Sequence, residues 1–306
     1  MVTPVVVDAI KQGVRFLLDH QLPNGEFPTF VANTDQLNGG AYYASPFVTS
    51  FVLYAVFDLD HEGLADARHK SLMFLQREQL PNGSWANHTR DNVYHQLHRL
   101  PADLDDTATV SFCLKSHGIS FACNAHLFEQ NRNAFGLYET WIDPPFGNEV
   151  DALVNTNVLF YLGRSEPEVI SYIHQVVLNK VSFSRWYPER NFFYYMIARA
   201  YEQGLTELSE VRPFIIESIE QSCFSSGCCL SPLALAMGMV TLMIFSDTDA
   251  NEIVMRGIED LLKCQGRDGA WPRSVFFNGF DRFYGSEGLT TAVAVQALHM
   301  YRKRNG

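Results

Sequence analysis

One signature occurs three times along this chain with its spacing intact: Gln21-x-x-Asn24-Gly25-x-Phe27, Gln79-x-x-Asn82-Gly83-x-Trp85 and Gln265-x-x-Asp268-Gly269-x-Trp271. Each copy follows an amphipathic run with apolar residues at three- and four-residue intervals, namely Ile10 to His20, Ala65 to Gln76 and Ile253 to Cys264. Asn-Gly and Asp-Gly tolerate positive φ, so each signature ends a helix and turns the chain. The glutamine amide suits free backbone groups at a helix end, and the aromatic ring covers it. An internal repeat of this kind limits the chain to a stacked or ring-like assembly of helical units.

A second, far less polar type of helix follows these turns. Six segments have that character: Phe47 to Phe57, Asp106 to Lys115, Ala152 to Leu162, Phe192 to Glu202, Pro232 to Phe245, and Leu289 to Tyr301. Six amphipathic segments precede them, near Val5 to His20, Leu64 to Gln79, Ile119 to Gln130, Glu168 to Asn179, Val211 to Ser222, and Asn251 to Cys264. Alternation of amphipathic and all-round apolar helices fits a double ring with the apolar set inside. Strand signals are nearly absent. The expected fold is therefore an all-α (α/α)6 toroid spanning 1–306 as a single domain.

Composition narrows the function. The net charge is −11, which opposes binding to a phosphate backbone. Irregular spacing of Cys113, Cys123, Cys223, Cys228, Cys229 and Cys264 argues for a reducing, cytoplasmic setting rather than a disulfide framework. The uncharged stretch from Cys223 to Phe245 contains Ser225, Ser226, Gly227, Ser231 and Pro232, leaving too short an apolar run to span a bilayer. It reads as a buried helix, with peripheral membrane contact the remaining form of membrane association. Aromatic residues reach 13%, more than packing alone demands.

If all inner helices run the same way, the segments before them converge on one mouth: Gly39 to Ser45, His95 to Asp106, Pro144 to Asp151, Trp186 to Asn191, Cys228 to Ser231, and Arg282 to Glu287. Positive helix ends would also gather there. Among these segments lies Asp103-Leu104-Asp105-Asp106-Thr107-Ala108. On its own, such a cluster is what a well-capped helix start looks like. Together with the three turn signatures it resembles the class II terpene cyclases, the family of squalene–hopene cyclase, oxidosqualene cyclase and copalyl diphosphate synthase. The hexapeptide is similar to that family's DxDDTA acid motif, and the turns to its QW repeats.

The resemblance implies that Asp105 donates a proton to a terminal alkene or epoxide, with Asp103 and Asp106 tuning and orienting it. It also implies a linear isoprenoid substrate, such as farnesyl or geranylgeranyl diphosphate. Alkenes are weak bases, so the donor must keep its proton at neutral pH, which burial and neighbouring carboxylates promote. A cation in an aromatic-walled, dry cavity is stabilised by ring faces and shielded from premature quenching. Tyr42, Tyr43, Trp141, Trp186, Tyr187, Phe192, Phe193, Tyr194, Phe283 and Tyr284 are candidates for that wall, with about half expected to face it.

Arg185 and Arg190 flank Trp186-Tyr187 and would suit a diphosphate. Glu139, Asp143, Glu149 and Asp151 form a second acidic group, in which Glu149 and Asp151 are Mg²⁺ candidates and Asp151 is equally a helix cap. His95 and His98 would reprotonate the acid or sit on the surface. Larger relatives close the site between two toroids. Here self-association as a homo-oligomer, a partner, a membrane surface or a long loop (Phe27 to Pro46, or Pro81 to Pro101) would have to serve. A prenyltransferase-like transferase is an alternative, although its zinc-binding Asp-x-Cys pair does not occur; a non-catalytic toroid binding a lipid or protein is another.

Overall fold

The computed structural model describes residues 2–93, 100–224, 230–246 and 252–305. Twelve α-helices run through these residues: α1 (Val2–His20), α2 (Pro46–Ala55), α3 (Leu64–Arg77), α4 (Leu104–Ser116), α5 (Ala125–Gln130), α6 (Ala152–Leu162), α7 (Pro167–Leu178), α8 (Arg190–Glu202), α9 (Arg212–Phe224), α10 (Pro232–Phe245), α11 (Glu252–Cys264) and α12 (Glu287–Asn305). The even-numbered helices pack in sequence, α2 on α4, α4 on α6, α6 on α8, α8 on α10 and α10 on α12, and α12 returns to α2. The inner ring is closed, and the odd-numbered helices pack outside it. The fold is the (α/α)6 toroid.

The inner helices begin at one end of the ring, and the sequence caps them there. Ser45, Asp103, Asp151 and Ser231 accept hydrogen bonds from first-turn amides of α2, α4, α6 and α10, and Pro46 and Pro232 occupy first-turn positions. Helix α10 is buried along nearly its whole surface, which accounts for its missing charges. Among the described residues no helix is long and apolar enough to cross a membrane.

The repeated turns prove to be staples between neighbouring helix pairs. Gln21 Nε2 donates to Gly25 O (3.2 Å) and across to Ala67 O of α3 (2.8 Å). Gln79 Nε2 makes the same bond to Gly83 O and reaches Ala122 O ahead of α5, both at 3.0 Å. Gln265 Nε2 bonds Gly269 O (2.9 Å) and Ala9 O of α1 (3.0 Å), joining the last pair to the first. The amides of Phe27, Trp85 and Trp271 donate to Thr49, Thr107 and Thr291 of the following inner helices. A fourth staple escapes the sequence pattern. Arg132 replaces the glutamine and donates to Gly136 O (3.2 Å), and Tyr138 N donates to Asn155 Oδ1 (2.9 Å). Its link to the next outer helix is an ion pair between Arg132 and Glu166 instead of an amide bond.

Two expectations need correction. The third outer helix is only Ala125–Gln130, because the backbone from Ile119 to Asn124 is used to receive the Gln76 and Gln79 side chains. A small antiparallel sheet is also present, made of β1 (Thr29–Ala32), β2 (Ala41–Tyr43), β3 (Val275–Asn278) and β4 (Phe283–Gly285) in the order β2-β1-β4-β3. The whole chain from Ala44 to Ser274 separates its two hairpins, but they come from the first and last helix pairs, which ring closure makes neighbours. Each hairpin is too short to show a strand period, and pairing across the seam stabilises both.

Gly269 has φ +88° and a Cβ there would lie 2.5 Å from the Gln12 carbonyl oxygen, whereas Gly39, with φ +65°, has open space around it. Alanine at Gly39 should therefore cost about 1 kcal/mol, from backbone strain alone. Alanine at Gly269 should cost roughly 3 kcal/mol because the staple must also open. Urea unfolding of both variants measures the difference; equal costs would show that the last and first outer helices are not held this closely.

Candidate active site

At the mouth of the ring lies a cavity of about 410 Å³. The Asp103-Leu104-Asp105-Asp106 turn forms part of its wall, together with Trp141, Trp186 and Tyr187 from the segments before α6 and α8, and the β3–β4 hairpin. Asp103 caps α4, its Oδ1 accepting from Asp106 N at 2.7 Å. Its backbone also pairs with Trp141, and Leu104 N donates to Thr140 O (2.9 Å), so the segment after Tyr138 is sewn alongside the acidic turn.

Asp105 is 5% exposed and held at both oxygens. Asn157 Nδ2 of α6 donates to Oδ1 at 2.6 Å, and the Tyr187 hydroxyl is hydrogen-bonded to Oδ2. Burial raises the Asp105 pKa; the bonds from Tyr187 and Asn157 and the charge of Arg199 pull it part of the way back. Asp106 lies well above its ordinary value, through burial and then the adjacent Asp103 charge, and its Oδ1 has no hydrogen-bond partner among the described residues. Burial pushes Asp103 up to about 7, against the bonds from Asp106. All three groups therefore hold protons more readily than carboxyls in water.

Of the ten aromatic candidates, Tyr43, Trp141, Trp186, Tyr187 and Tyr284 line the cavity. Tyr42 does not: β2 turns it to the other face of the sheet, where its hydroxyl donates to the buried Glu26 (2.6 Å). Phe192 is core, packed on Phe276. Phe193, Tyr194 and Phe283 are likewise absent from the wall. Arg185 lies over the rings of Trp186 and Phe280 at the rim, 5.1 and 5.2 Å from their centroids. Arg190 points away, donating to the carbonyls of Lys180 and Val181 from above the Phe183 ring, so it and Arg185 form no clamp. As a helix-start residue it is consumed in holding the preceding loop.

Glu149 and Asp151 are also committed elsewhere. Trp186 Nε1 donates to Glu149 Oε1 (2.9 Å), while Asp151 caps α6 through two amides and receives the Ser184 hydroxyl. One Glu149 oxygen and both Asp151 oxygens are thus engaged within the protein, and among the described residues no group of three or more His, Cys, Asp or Glu side chains is placed to hold a metal. His95, His98, Cys228 and Cys229 lie outside the described residues.

Of the third converging segment, Pro144 to Asp151, no residue lines the cavity, Thr140 and Trp141 ahead of it standing there instead; of the fifth, the described Leu230 and Ser231 do not line it either, and Leu233 N of α10 donates to Ser274 Oγ beside the β3–β4 hairpin. A bulge at Val275/Phe277 turns both Phe276 and Phe277 inward. Phe276 plugs the ring against Phe47, Phe51, Tyr187 and Phe192, and the Gly279–Arg282 tip lies along the cavity, Asn278 N donating to Trp186 O. The loop from Phe27 to Pro46 supplies β1 and β2 behind it. Three contributors carried no motif: Asn157, Arg199 and the hairpin tip. For the first two a signal did exist, since an amide or a guanidinium inside an apolar helix needs a buried partner.

No family model matches this sequence, and no curated protein matches it. Solved structures do resemble it. The type II terpene cyclase MstE from Scytonema, solved with its substrate geranylgeranyl dihydroxybenzoate, superposes with a TM-score of 0.72 at 16% identity over 99% of both chains. The ent-copalyl diphosphate synthase from Streptomyces platensis gives 0.61 at 17% identity, over 84% of this chain and 50% of that one. An unsaturated glucuronyl hydrolase specific for heparin gives 0.62 at 12% identity, over 98% and 96%. The toroid is thus common to cyclases and a hydrolase, and the fold by itself selects no reaction.

Burial also pushes Asp151 up to about 7. A carboxyl raised in the folded state takes up a proton on folding between its unfolded value near 3.8 and its folded value. Stability is then greatest below that window and falls as pH rises through it. Asp103 and Asp151 should each contribute a decline of up to about 1.4 kcal/mol per pH unit between roughly pH 4 and pH 7. Asp151→Asn keeps a capping side chain but cannot titrate, so urea unfolding across that window should give a shallower slope than the parent protein. An unchanged slope would mean that Asp151 ionises as freely folded as unfolded.

Proposed function

We propose that this protein is a class II terpene cyclase, an isomerase that cyclises a linear isoprenoid by protonation, with Asp105 as the general acid. The observation that carries this reading is a single one: Asp105, withdrawn from water and inclined to keep its proton, borders a cavity walled by Tyr43, Trp141, Trp186, Tyr187 and Tyr284. The MstE complex supports the reading from outside, since that protein takes a geranylgeranyl-bearing substrate on the same fold.

Cyclisation begins when a terminal alkene, folded into the cavity, takes the Asp105 proton. The C=C π electrons form the new C–H bond, the O–H pair stays on the carboxylate, and the positive charge moves to carbon. Ring faces stabilise that cation and the β3–β4 hairpin keeps water out. Burial raises the cost of ionising Asp105, while Tyr187 and Asn157 stabilise the carboxylate left after transfer; a charge on Asp105 in turn raises Asp103 and Asp106. Farnesyl and geranylgeranyl chains, as diphosphates or with other head groups, are the substrates to try; neither magnesium nor a metal-bound step is required for protonation.

Incubation with such a panel, followed by mass spectrometry, should yield a cyclic product. Asp105→Asn should lose it by about 10²–10⁴-fold with the fold intact by circular dichroism. Tyr187→Phe should slow turnover about tenfold, as one hydrogen bond to the carboxylate is lost. Full activity in Asp105→Asn, or no cyclic product across the panel, would refute the assignment.

A further inference from the structure

Behind the Phe276 plug, in the lumen of the ring and away from the cavity, sits Arg199 of α8, 2% exposed. Its guanidinium lies 4.8, 4.7, 4.5 and 5.4 Å from the ring centroids of Phe51, Tyr54, Phe160 and Tyr195. Its Nη2 donates to Asn157 Oδ1 at 2.8 Å, and its Nε has no partner among the described residues. A buried cation in a cage of rings, aimed through one amide at an aspartate, is costly for stability alone. The same volume filled by an aliphatic side chain would pack against those rings without the desolvation penalty.

The chemistry of the donors fixes the direction of this chain. A guanidinium has donors only, so the atom of Asn157 that meets Arg199 must be the carbonyl oxygen. The amide NH₂ must then face Asp105, and Asp105 Oδ1 can only accept. The acid proton is confined to Oδ2, the oxygen beside Tyr187 on the cavity wall.

We propose that Arg199 is the counter-charge of the general acid: a positioning residue that, through Asn157, directs the Asp105 proton to the cavity-side oxygen and stabilises the carboxylate left when the proton departs. This rests on the reading of Asp105 as the acid, and extends it to a residue that touches no substrate. The groups facing Asp105 are Asp103 and Asp106 on its own helix, Asp151 at the start of α6, Tyr187 before α8, and Arg199. Those facing Arg199 are Tyr54, Tyr195 and Cys113, all with pKa values raised by burial and therefore neutral. Arg199 is thus the cation set against a cluster of carboxyls.

The consequence is a pair of opposite effects. Without Arg199, Asp105 should hold its proton to higher pH and yet be a poorer donor. Infrared difference spectra of the ligand-free protein, taken against Asp105→Asn, follow the Asp105 carboxylic C=O band through a pH titration. In Arg199→Gln and in Asn157→Leu the band should persist at least one pH unit further into the alkaline range. In Arg199→Lys, which keeps the charge, it should move less. With whichever isoprenoid of the panel is turned over, kcat of Arg199→Gln should fall about tenfold to a hundredfold while its alkaline limb moves up in pH and KM stays near the parent value.

A titration unmoved in both Arg199→Gln and Asn157→Leu would overturn the proposal, as would a loss of kcat without any displacement of the alkaline limb. If one substitution prevents folding, the other carries the test, because each cuts the same chain at a different link. A shifted band without cyclic products would leave the counter-charge standing and remove the cyclase assignment, so the two readings fail separately.

Discussion

Asp105 is kept out of water at the start of an inner helix, and most of the architecture around it follows from that constraint. A carboxyl in this position must be either neutral or compensated, and here it is held between the two. Burial favours the proton; Tyr187, Asn157 and the charge of Arg199 favour its departure. The compensating groups come from α6, from the segment before α8 and from α8 itself. No one helix pair could assemble them. They meet because the inner helices close into a ring whose capped ends share one mouth.

Ring closure also accounts for the cover over that mouth. The first and last helix pairs are neighbours only in the closed toroid, and the staple from Gln265 to Ala9 marks the seam. The hairpins that precede α2 and α12 therefore lie side by side and pair as one sheet. The bulge in β3 then commits two phenylalanines inward, one into the lumen and one to the cavity wall. A single toroid thus forms a walled cavity from its own chain, using the segment that its seam makes available.

Polar groups inside the apolar ring divide into two kinds. Thr49, Thr107, Asn155 and Thr291 take up the amides of the stapled turns and serve the fold. Among the described residues Asn157 and Arg199 serve no turn, and their side-chain hydrogen bonds lead toward Asp105. That contrast, between neighbouring residues such as Asn155 and Asn157 on one helix, separates structure from chemistry more sharply than resemblance to other toroids, which include a hydrolase.

The sequence alone determined the double ring, its inner helices and all but the third of its outer ones, and the aspartates at its mouth, because helical period, turn dipeptides and capping residues are local signals. The degenerate staple at Arg132, whose guanidinium does the work of an amide, lay beyond that pattern since only its bonds reveal the equivalence. Tyr42 and Tyr43 are adjacent and chemically alike, yet strand alternation sends one to Glu26 and the other to the cavity. The sheet across the seam, the Phe276 plug and the path from Arg199 to Asp105 join residues up to some 250 positions apart. Those were decided by the tertiary structure, because a closed ring brings together groups whose separation along the chain carries no trace of their contact.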